Sequence, residues 1–182
     1  MAQNHIKSFD EFINEEEEVS TIDWELEKND WLAYLEKFYE QVENYLKDYV
    51  LNGKIKTEYS KKEIYEEYIG KYEANVLNIY LKNHRLLLDP MGTNLIGAKG
   101  RVDLVGPNGS VRFVLVNKDT SVPTIKVNIS IKDETKKTES KMVSKAKETK
   151  WEWKIATHPP KINYFNFTQE IFLDAILEVI GG

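Results

Sequence analysis

Cysteine is absent from this chain of 182 residues, and histidine and arginine are scarce, with three residues of each type. Without thiols the chain forms no disulfide and offers no thiolate nucleophile and no cysteine-based zinc or iron–sulfur site. The histidines, His5, His84 and His158, are scattered along the sequence and suggest neither a catalytic triad nor a metal site. We therefore predict no resident metal or cofactor.

Long apolar runs are missing as well. No stretch approaches the roughly 20 apolar residues that a membrane-spanning helix needs, and the opening "MAQNHIKSFDEFINEEEE" lacks the apolar core of a secretory signal. The apolar fraction of 41% and the charged fraction of 30% are ordinary for a globular protein. We expect a cytoplasmic protein without membrane contact.

Charge is distributed unevenly along the chain. The net charge is −5, but residues 1–50 hold 14 Asp or Glu against 4 Lys, which is −10, so the remainder carries +5. Solvated helix faces rich in Glu explain this pattern most simply. Docking of the acidic arm on the basic body, or mimicry of an anionic ligand, are the alternatives. We predict an acidic, flexible tail over residues 1–20 and a single domain over 21–182.

Three segments have the apolar spacing of helices. The first runs from about Thr21 to Val50, where apolar side chains recur at alternating steps of four and three. The second is predicted to begin at Ser60, which forms a capping box with Glu63. Thr168 is predicted to cap the last helix. The apolar positions of the first are Trp31, Leu35, Phe38, Val42, Tyr45 and Tyr49, and those of the second are Ile64, Tyr65, Tyr68, Ile69 and Tyr72.

From about Ala74 the apolar period changes to two, which is typical of strands. The connections are mostly too short for crossover helices, so the strands are predicted to be antiparallel. The fold class is then α+β: a largely antiparallel sheet of about six or seven strands, with two N-terminal helices and one C-terminal helix packed on it. The predicted strands are 77–81, 86–88, 101–105, 111–117, 124–132, 151–157 and 162–167.

The stretch "GRVDLVGPNGSVRFVLVNKD", residues 100–119, reads as strand, tight turn and strand. Direct pairing of residue 106 with residue 109 places Leu104 opposite Val111 on an apolar face. The same register places Asp103 opposite Arg112 on the other face. Opposite charges on neighbouring strands are a common stabilising pair, so we interpret Asp103 first as a structural ion-pair partner.

An Asp on one strand followed by a Lys just past the next resembles the metal-binding hairpin of restriction-endonuclease-like nucleases. The resemblance covers only these 20 residues and implies a Mg²⁺ site completed by a Glu-x-Lys motif. The expected Glu position holds Val116, however. The literal motif, from Glu152 to Lys154, lies further along the chain. The alternative function is therefore a divergent metal-dependent nuclease that uses Asp103, Glu152 and Lys154, with Asp89 as an extra carboxylate.

The three arginines form a second candidate site. Arg85, Arg101 and Arg112 all fall among the predicted strands, and guanidinium groups bind carboxylates and phosphates with two parallel hydrogen bonds. If they share a face with the glycine-rich loop "DPMGTNLIGAKG", they could bind an anionic ligand.

Seven lysines in residues 132–150 form a basic stretch, but it has no interleaved arginine, so nucleic acid is an improbable partner.

The leading hypothesis is an accessory or binding protein that works through protein–protein contacts. No catalytic constellation is evident in the sequence, and tyrosine and tryptophan are favoured at interfaces. We expect a protein partner or a homo-oligomer.

Asp103 yields a direct test of the nuclease alternative. We expect Mg²⁺ or Mn²⁺ to leave the melting temperature unchanged, and Asp103→Asn to melt lower because about 0.2–1 kcal/mol of cross-strand ion pairing is lost. Thermal melts of both proteins with and without metal would measure this. A metal-dependent rise that disappears in the variant would instead make Asp103 a metal ligand.

Overall fold

A long helix, α1 (Trp24–Leu51), opens the part of the chain that the computed structural model describes, which comprises residues 22–93, 97–119, 150–158 and 160–181. The Asp23 carboxylate accepts a hydrogen bond from the backbone N–H of Leu26 at 3.0 Å and caps the first turn. Gly53, with φ of 68°, follows the C-cap residue Asn52 and ends the helix in the left-handed conformation. Four of the six predicted stripe positions, Trp31, Leu35, Phe38 and Val42, are buried together with Tyr39 and Leu46, whereas Tyr45 is half-buried and Tyr49 is exposed.

In the described residues, seven strands follow α1 and form one antiparallel sheet in which each described strand pairs with the next. The α+β class and the antiparallel sheet are confirmed. The acidic tail, the predicted strand 124–132 and most of the lysine-rich stretch lie outside the described residues. The strands are β1 (Ile55–Glu66), β2 (Gly70–Leu81), β3 (His84–Gly92), β4 (Gly100–Gly106), β5 (Gly109–Asn117), β6 (Trp151–Ala156) and β7 (Tyr164–Asn166).

A second helix, α2 (Gln169–Ile180), follows β7 and packs against β4 and β5. The hydroxyl of Thr168 accepts a hydrogen bond from the backbone N–H of Ile171, so the predicted cap is confirmed. Gly181, with φ of 78°, closes the helix. Both described helices cover the same face of the sheet, because buried residues of both belong to one core with the inward side chains of the strands.

The prediction of a helix starting at Ser60 is wrong, since β1 runs through this segment and β2 begins at Gly70. The polar groups expected to cap a helix are used across strands instead. The Ser60 hydroxyl accepts from the side-chain amide of Asn78, and Glu63 binds Lys71. Tyrosine and isoleucine favour strands. Ile64 and Tyr72 are eight residues apart, a spacing that places them on one face of a helix, but they instead pair directly across the β1–β2 hairpin.

Strand β3 also runs further than predicted. It continues through Asp89 and Pro90 to Gly92, and the pairing with β4 shifts by one residue between Pro90 and Gly92. A proline removes one ladder hydrogen bond and is tolerated at such a bulge. The extension matters because it places Asp89 directly opposite Asp103.

The sheet has two faces of different chemistry. The inner face, which packs on the helices, bears the fully buried Leu77, Leu88, Leu104 and Phe113. Alternate positions form the outer face, and cross-strand pairing assigns to it the charged and polar residues discussed below: Asn78, Arg85, Asp89, Arg101, Asp103, Arg112, Glu152 and Lys154.

Helix α1 is attached to the inner face by close aromatic packing and by one buried hydroxyl. The Tyr39 hydroxyl donates to the carbonyl of Asn75 at 2.6 Å, and burial raises the pKa of this phenol well above its ordinary value. Near the start of the helix, Trp31 lies directly over Gly100. A Cβ added at residue 100 would lie 2.1 Å from the indole ring, so glycine is required there by space.

Gly100→Ala should lower the free energy of unfolding by about 1–3 kcal/mol, because the new methyl group forces the Trp31 ring and its neighbours to shift. Chemical denaturation of the two proteins measures the loss. In a Trp31→Phe background the smaller ring should accommodate the methyl group and reduce the cost. Equal costs of Gly100→Ala in both backgrounds would show that the ring does not set the constraint.

Candidate functional site

A row of charged side chains crosses the outer face. The register places Asp89 beside Asp103 and Asp103 beside Arg112. Two carboxylates directly opposite one another repel, and each is neutralised by its own cation. Lys62 binds Asp89 with a distance of 2.6 Å between Nζ and Oδ1. Arg101 binds Asp103 through two hydrogen bonds, Nε to Oδ1 at 2.7 Å and Nη2 to Oδ2 at 2.5 Å.

The predicted register of the β4–β5 hairpin is confirmed, but the ion-pair partner is different. Gly106 pairs with Gly109, and Asp103 lies opposite Arg112 as expected. The carboxylate is nevertheless bound by Arg101, two residues away on the same strand. The hydrogen bond with Asp103 raises the pKa of Arg101. The Nε of Arg112 is buried without a hydrogen-bond partner among the described residues.

The residues of the nuclease alternative share the outer face without converging. Asp103 and Glu152 are separated by two strands and four residues along the strand, or roughly 16 Å between Cα atoms in a regular sheet. Arg101 occupies both oxygens of Asp103, and the Lys154 ammonium donates to the carbonyl of Lys118 at 3.0 Å. Among the described residues, no group of three His, Cys, Asp or Glu could hold a metal ion.

The three arginines also lie on the outer face but do not form one anion site. Arg85 directs Nε and Nη2 to the Asn78 side-chain oxygen at 3.2 and 2.8 Å, four residues along β3 from Asp89. Arg101 is held by Asp103. Arg101 and Arg112 are diagonal neighbours on β4 and β5, whereas Arg85 is remote from both.

Two other surfaces have features of binding sites. The first lies at the start of α1, where the Trp24 and Tyr68 rings stack with centroids 5.0 Å apart and planes inclined by 14°. Tyr68 belongs to the turn between β1 and β2, and both rings are exposed, Trp24 by 37% and Tyr68 by 64%. We call these two residues the aromatic patch. Their sequence neighbours Asp23, Glu25 and Glu67 are exposed acids.

The second surface is a cleft at the other end of α1, about 42 Å away along a 28-residue helix. It lies where the end of α1, the base of the β1–β2 hairpin and the side of α2 meet, and its volume is about 810 Å³. We call it the apolar cleft. Its lining combines aliphatic and aromatic side chains with three lysines: Tyr49, Ile55, Tyr80, Leu81, Leu173, Ile176 and Leu177, with Lys54, Lys56 and Lys82.

No known protein family, curated protein or solved structure matches this chain. In the ranges that the structure describes, neither helix is both long and apolar enough to span a membrane. Function must therefore be argued from the surfaces of the protein itself.

Sequence reasoning missed both surfaces. Tyr68 was assigned to the inner face of a helix, so its stacking on Trp24 was not anticipated. The proximity of Lys82 to Lys54 follows only from the pairing of Ile55 with Leu81, and Ile55 was not predicted to lie in a strand.

The ion pair of the outer face can be tested by coupling energies. Arg101→Gln should lower the free energy of unfolding by roughly 1–3 kcal/mol, since Asp103 is nine-tenths buried and would lose a charged partner. Arg112→Gln should cost less, because no hydrogen bond to Asp103 is lost. Each single variant, and each arginine variant combined with Asp103→Asn, is unfolded with denaturant. The coupling energy between Asp103 and Arg101 should be large, and that between Asp103 and Arg112 should be small. The reverse order would contradict the assignment.

Proposed function

We propose that this chain is a cytoplasmic accessory or binding protein that acts through protein–protein contacts, and that the aromatic patch anchors the partner. The observation that carries the proposal is the stacked, exposed pair of Trp24 and Tyr68. Two large rings that support each other at the surface form a rigid apolar contact area. Tryptophan and tyrosine are the residue types most enriched at energetic centres of interfaces.

The chemistry around the patch favours a basic partner. Asp23, Glu25 and Glu67 border the rings in sequence and are exposed. Lys28 offsets part of this charge through its ion pair with Glu25 at 2.7 Å. An arginine of the partner can lie flat on an aromatic face and bind a carboxylate at its edge, so one side chain uses both features. We therefore infer a partner segment that presents arginine beside aliphatic side chains.

The size of the patch suits a modest, reversible complex. Two rings supply a single anchor rather than the 20–30 residues per side of a standard stable interface. The area of the aromatic patch fits a short partner segment in which one turn carries the arginine that contacts the rings. Nucleic acid is disfavoured at this surface, because phosphates would be repelled by the bordering acids.

The test uses the full chain and two labelled peptides, one of alternating arginine and leucine and one with glutamate in place of each arginine. Fluorescence anisotropy should detect binding of the arginine peptide but not of the glutamate peptide. Trp24→Ser combined with Tyr68→Ser should weaken binding at least tenfold, which is about 1.4 kcal/mol of the free energy of binding. Phe165→Ser is the matched control, since Phe165 is similarly exposed, by 49%, on the other edge of the sheet.

Equal binding of the arginine peptide by wild type and by the double variant would overturn the proposal, because attraction to a net acidic protein would then explain the affinity.

Light scattering across a concentration series tests whether a second copy of the chain is the partner. A dimer that the Trp24 and Tyr68 substitutions dissociate would identify the patch as a homo-oligomer contact. A dimer that survives them would locate self-association elsewhere.

A further inference from the structure

The apolar cleft is an open groove lined mainly by side chains of α1, β1, β2 and α2. Ile55 and Leu81 form its floor and are a direct cross-strand pair at the base of the β1–β2 hairpin. Leu173, Ile176 and Leu177 of α2 form one wall, and Tyr49 near the end of α1 lies at the opposite side. Its volume of about 810 Å³ is in the range of sites that hold small molecules. Leu177 is half exposed, so an apolar surface faces solvent here.

Two exposed lysines at the rim are neighbours across the β1–β2 hairpin. Lys54 directly precedes Ile55 and Lys82 directly follows Leu81, so the pairing of Ile55 with Leu81 makes the lysines neighbours. In the part of the chain that the structure describes, neither forms an ion pair. The third rim lysine, Lys56, is already bound to Glu58 at 2.5 Å. Adjacent like charges beside an apolar wall are unfavourable, and an anion bound between them would relieve the repulsion.

The backbone conformation at Lys82 is a second observation about this rim. Lys82 is the first of the two residues that link β2 to β3, and its φ is 49°. Left-handed backbone at the first position of a two-residue hairpin loop is normally taken by glycine, asparagine or aspartate. Among the described residues other than glycine, no other has a positive φ. Lysine is costlier than glycine or asparagine in this conformation, and its charge is the property that we expect a ligand to use.

We propose that the apolar cleft binds a free single-chain amphiphile with an anionic head, such as a fatty-acid carboxylate. The aliphatic chain lies between α2 and the floor formed by Ile55 and Leu81. The head group lies between Lys54 and Lys82. An inorganic anion would leave the apolar walls wet, and a neutral or cationic amphiphile would leave the lysine pair unrelieved. This site is at the opposite end of α1 from the aromatic patch and does not depend on the function proposed for that patch.

The probe is dodecanoate, titrated into the full chain by isothermal calorimetry below its critical micelle concentration. We expect saturable binding of one dodecanoate per chain. Dodecanol should bind at least tenfold more weakly, because it lacks the charge. Dodecyltrimethylammonium should show no saturable binding. Equal affinity for all three would overturn the proposal by showing that the cleft selects only for apolar chains.

Variants of the rim identify the head-group site. Lys54→Gln combined with Lys82→Asn removes both charges, and asparagine tolerates left-handed backbone, so the turn is retained. The affinity for dodecanoate should fall roughly tenfold, while the weak binding of dodecanol is unchanged. The matched control is Lys61→Gln combined with Lys71→Gln, two exposed lysines at the far end of the same hairpin. A similar loss in the control would mean that net charge, not the rim pair, attracts the anion.

A wall variant tests the apolar part of the site independently. Leu177→Glu places a carboxylate at a half-exposed position of the wall, where it should not disturb folding. It should abolish dodecanoate binding, and circular dichroism would verify that the fold is retained. Undiminished binding in this variant would place the ligand elsewhere and overturn the proposal. Absence of saturable dodecanoate binding by the wild-type protein would overturn it as well.

Discussion

The packing of α1 on the inner face of the sheet is the contact on which the rest of the structure depends. Phe38 is fully buried against Phe113, Trp153 and Phe167, with ring centroids 4.6 to 5.3 Å apart. These rings come from β5, β6 and the segment after β7, so one helical side chain joins three distant parts of the chain. Tyr39, one residue on, donates its hydroxyl to the carbonyl of Asn75 and fixes the helix along its axis. A strand pair alone is at best marginally stable, and in the described part of the chain α1 supplies apolar contacts that join successive strands into one core.

The outer face obeys a different constraint. Its charges are neutralised in pairs, Lys62 with Asp89 and Arg101 with Asp103, so the row of carboxylates is stable without an external cation. Of the side chains that resembled a nuclease site, Asp89 and Asp103 are held in ion pairs and Lys154 donates to the Lys118 carbonyl. Geometry of this kind is more typical of a structural surface than of a reactive one, since a general base or a metal ligand needs a free lone pair.

The two candidate binding surfaces lie near opposite ends of α1. At its start, Trp24 is available to stack on Tyr68 of the β1–β2 turn. At its end, Tyr49 and the hairpin base leave space beside α2 that is not filled by side chains. The surfaces carry opposite charge, acidic at the patch and basic at the cleft, so a single protein can separate two ligands of opposite sign. The 28-residue length of α1 therefore sets the distance between the two proposed functions.

Local patterns in the sequence determined much of the fold. The four-and-three spacing of α1, the Thr168 cap and the alternation in β4, β5 and β6 each depend on contacts within a few residues, and each is confirmed. The Pro107-Asn108 turn even determined the register that sets Asp103 opposite Arg112. The segment from Ser60 to Tyr72 was wrongly predicted as a helix because the spacing of Ile64 and Tyr72 fits one face of a helix as well as a direct pair across a hairpin. Only pairing with β2 distinguishes the two.

Tertiary structure decided the rest, because the deciding contacts join residues that no local pattern links. Arg101 binds Asp103 through two hydrogen bonds although Arg112 lies directly opposite, so the strand register alone does not decide the ion-pair partner. The Trp24–Tyr68 stack and the adjacent Lys54 and Lys82 depend on chain reversals 28 to 44 residues long. The sequence by itself therefore determined both described helices, the existence of the strands from β2 onward and the inner face of that part of the sheet. The partners of its charges, and the surfaces open to ligands, were determined by how those elements meet in space.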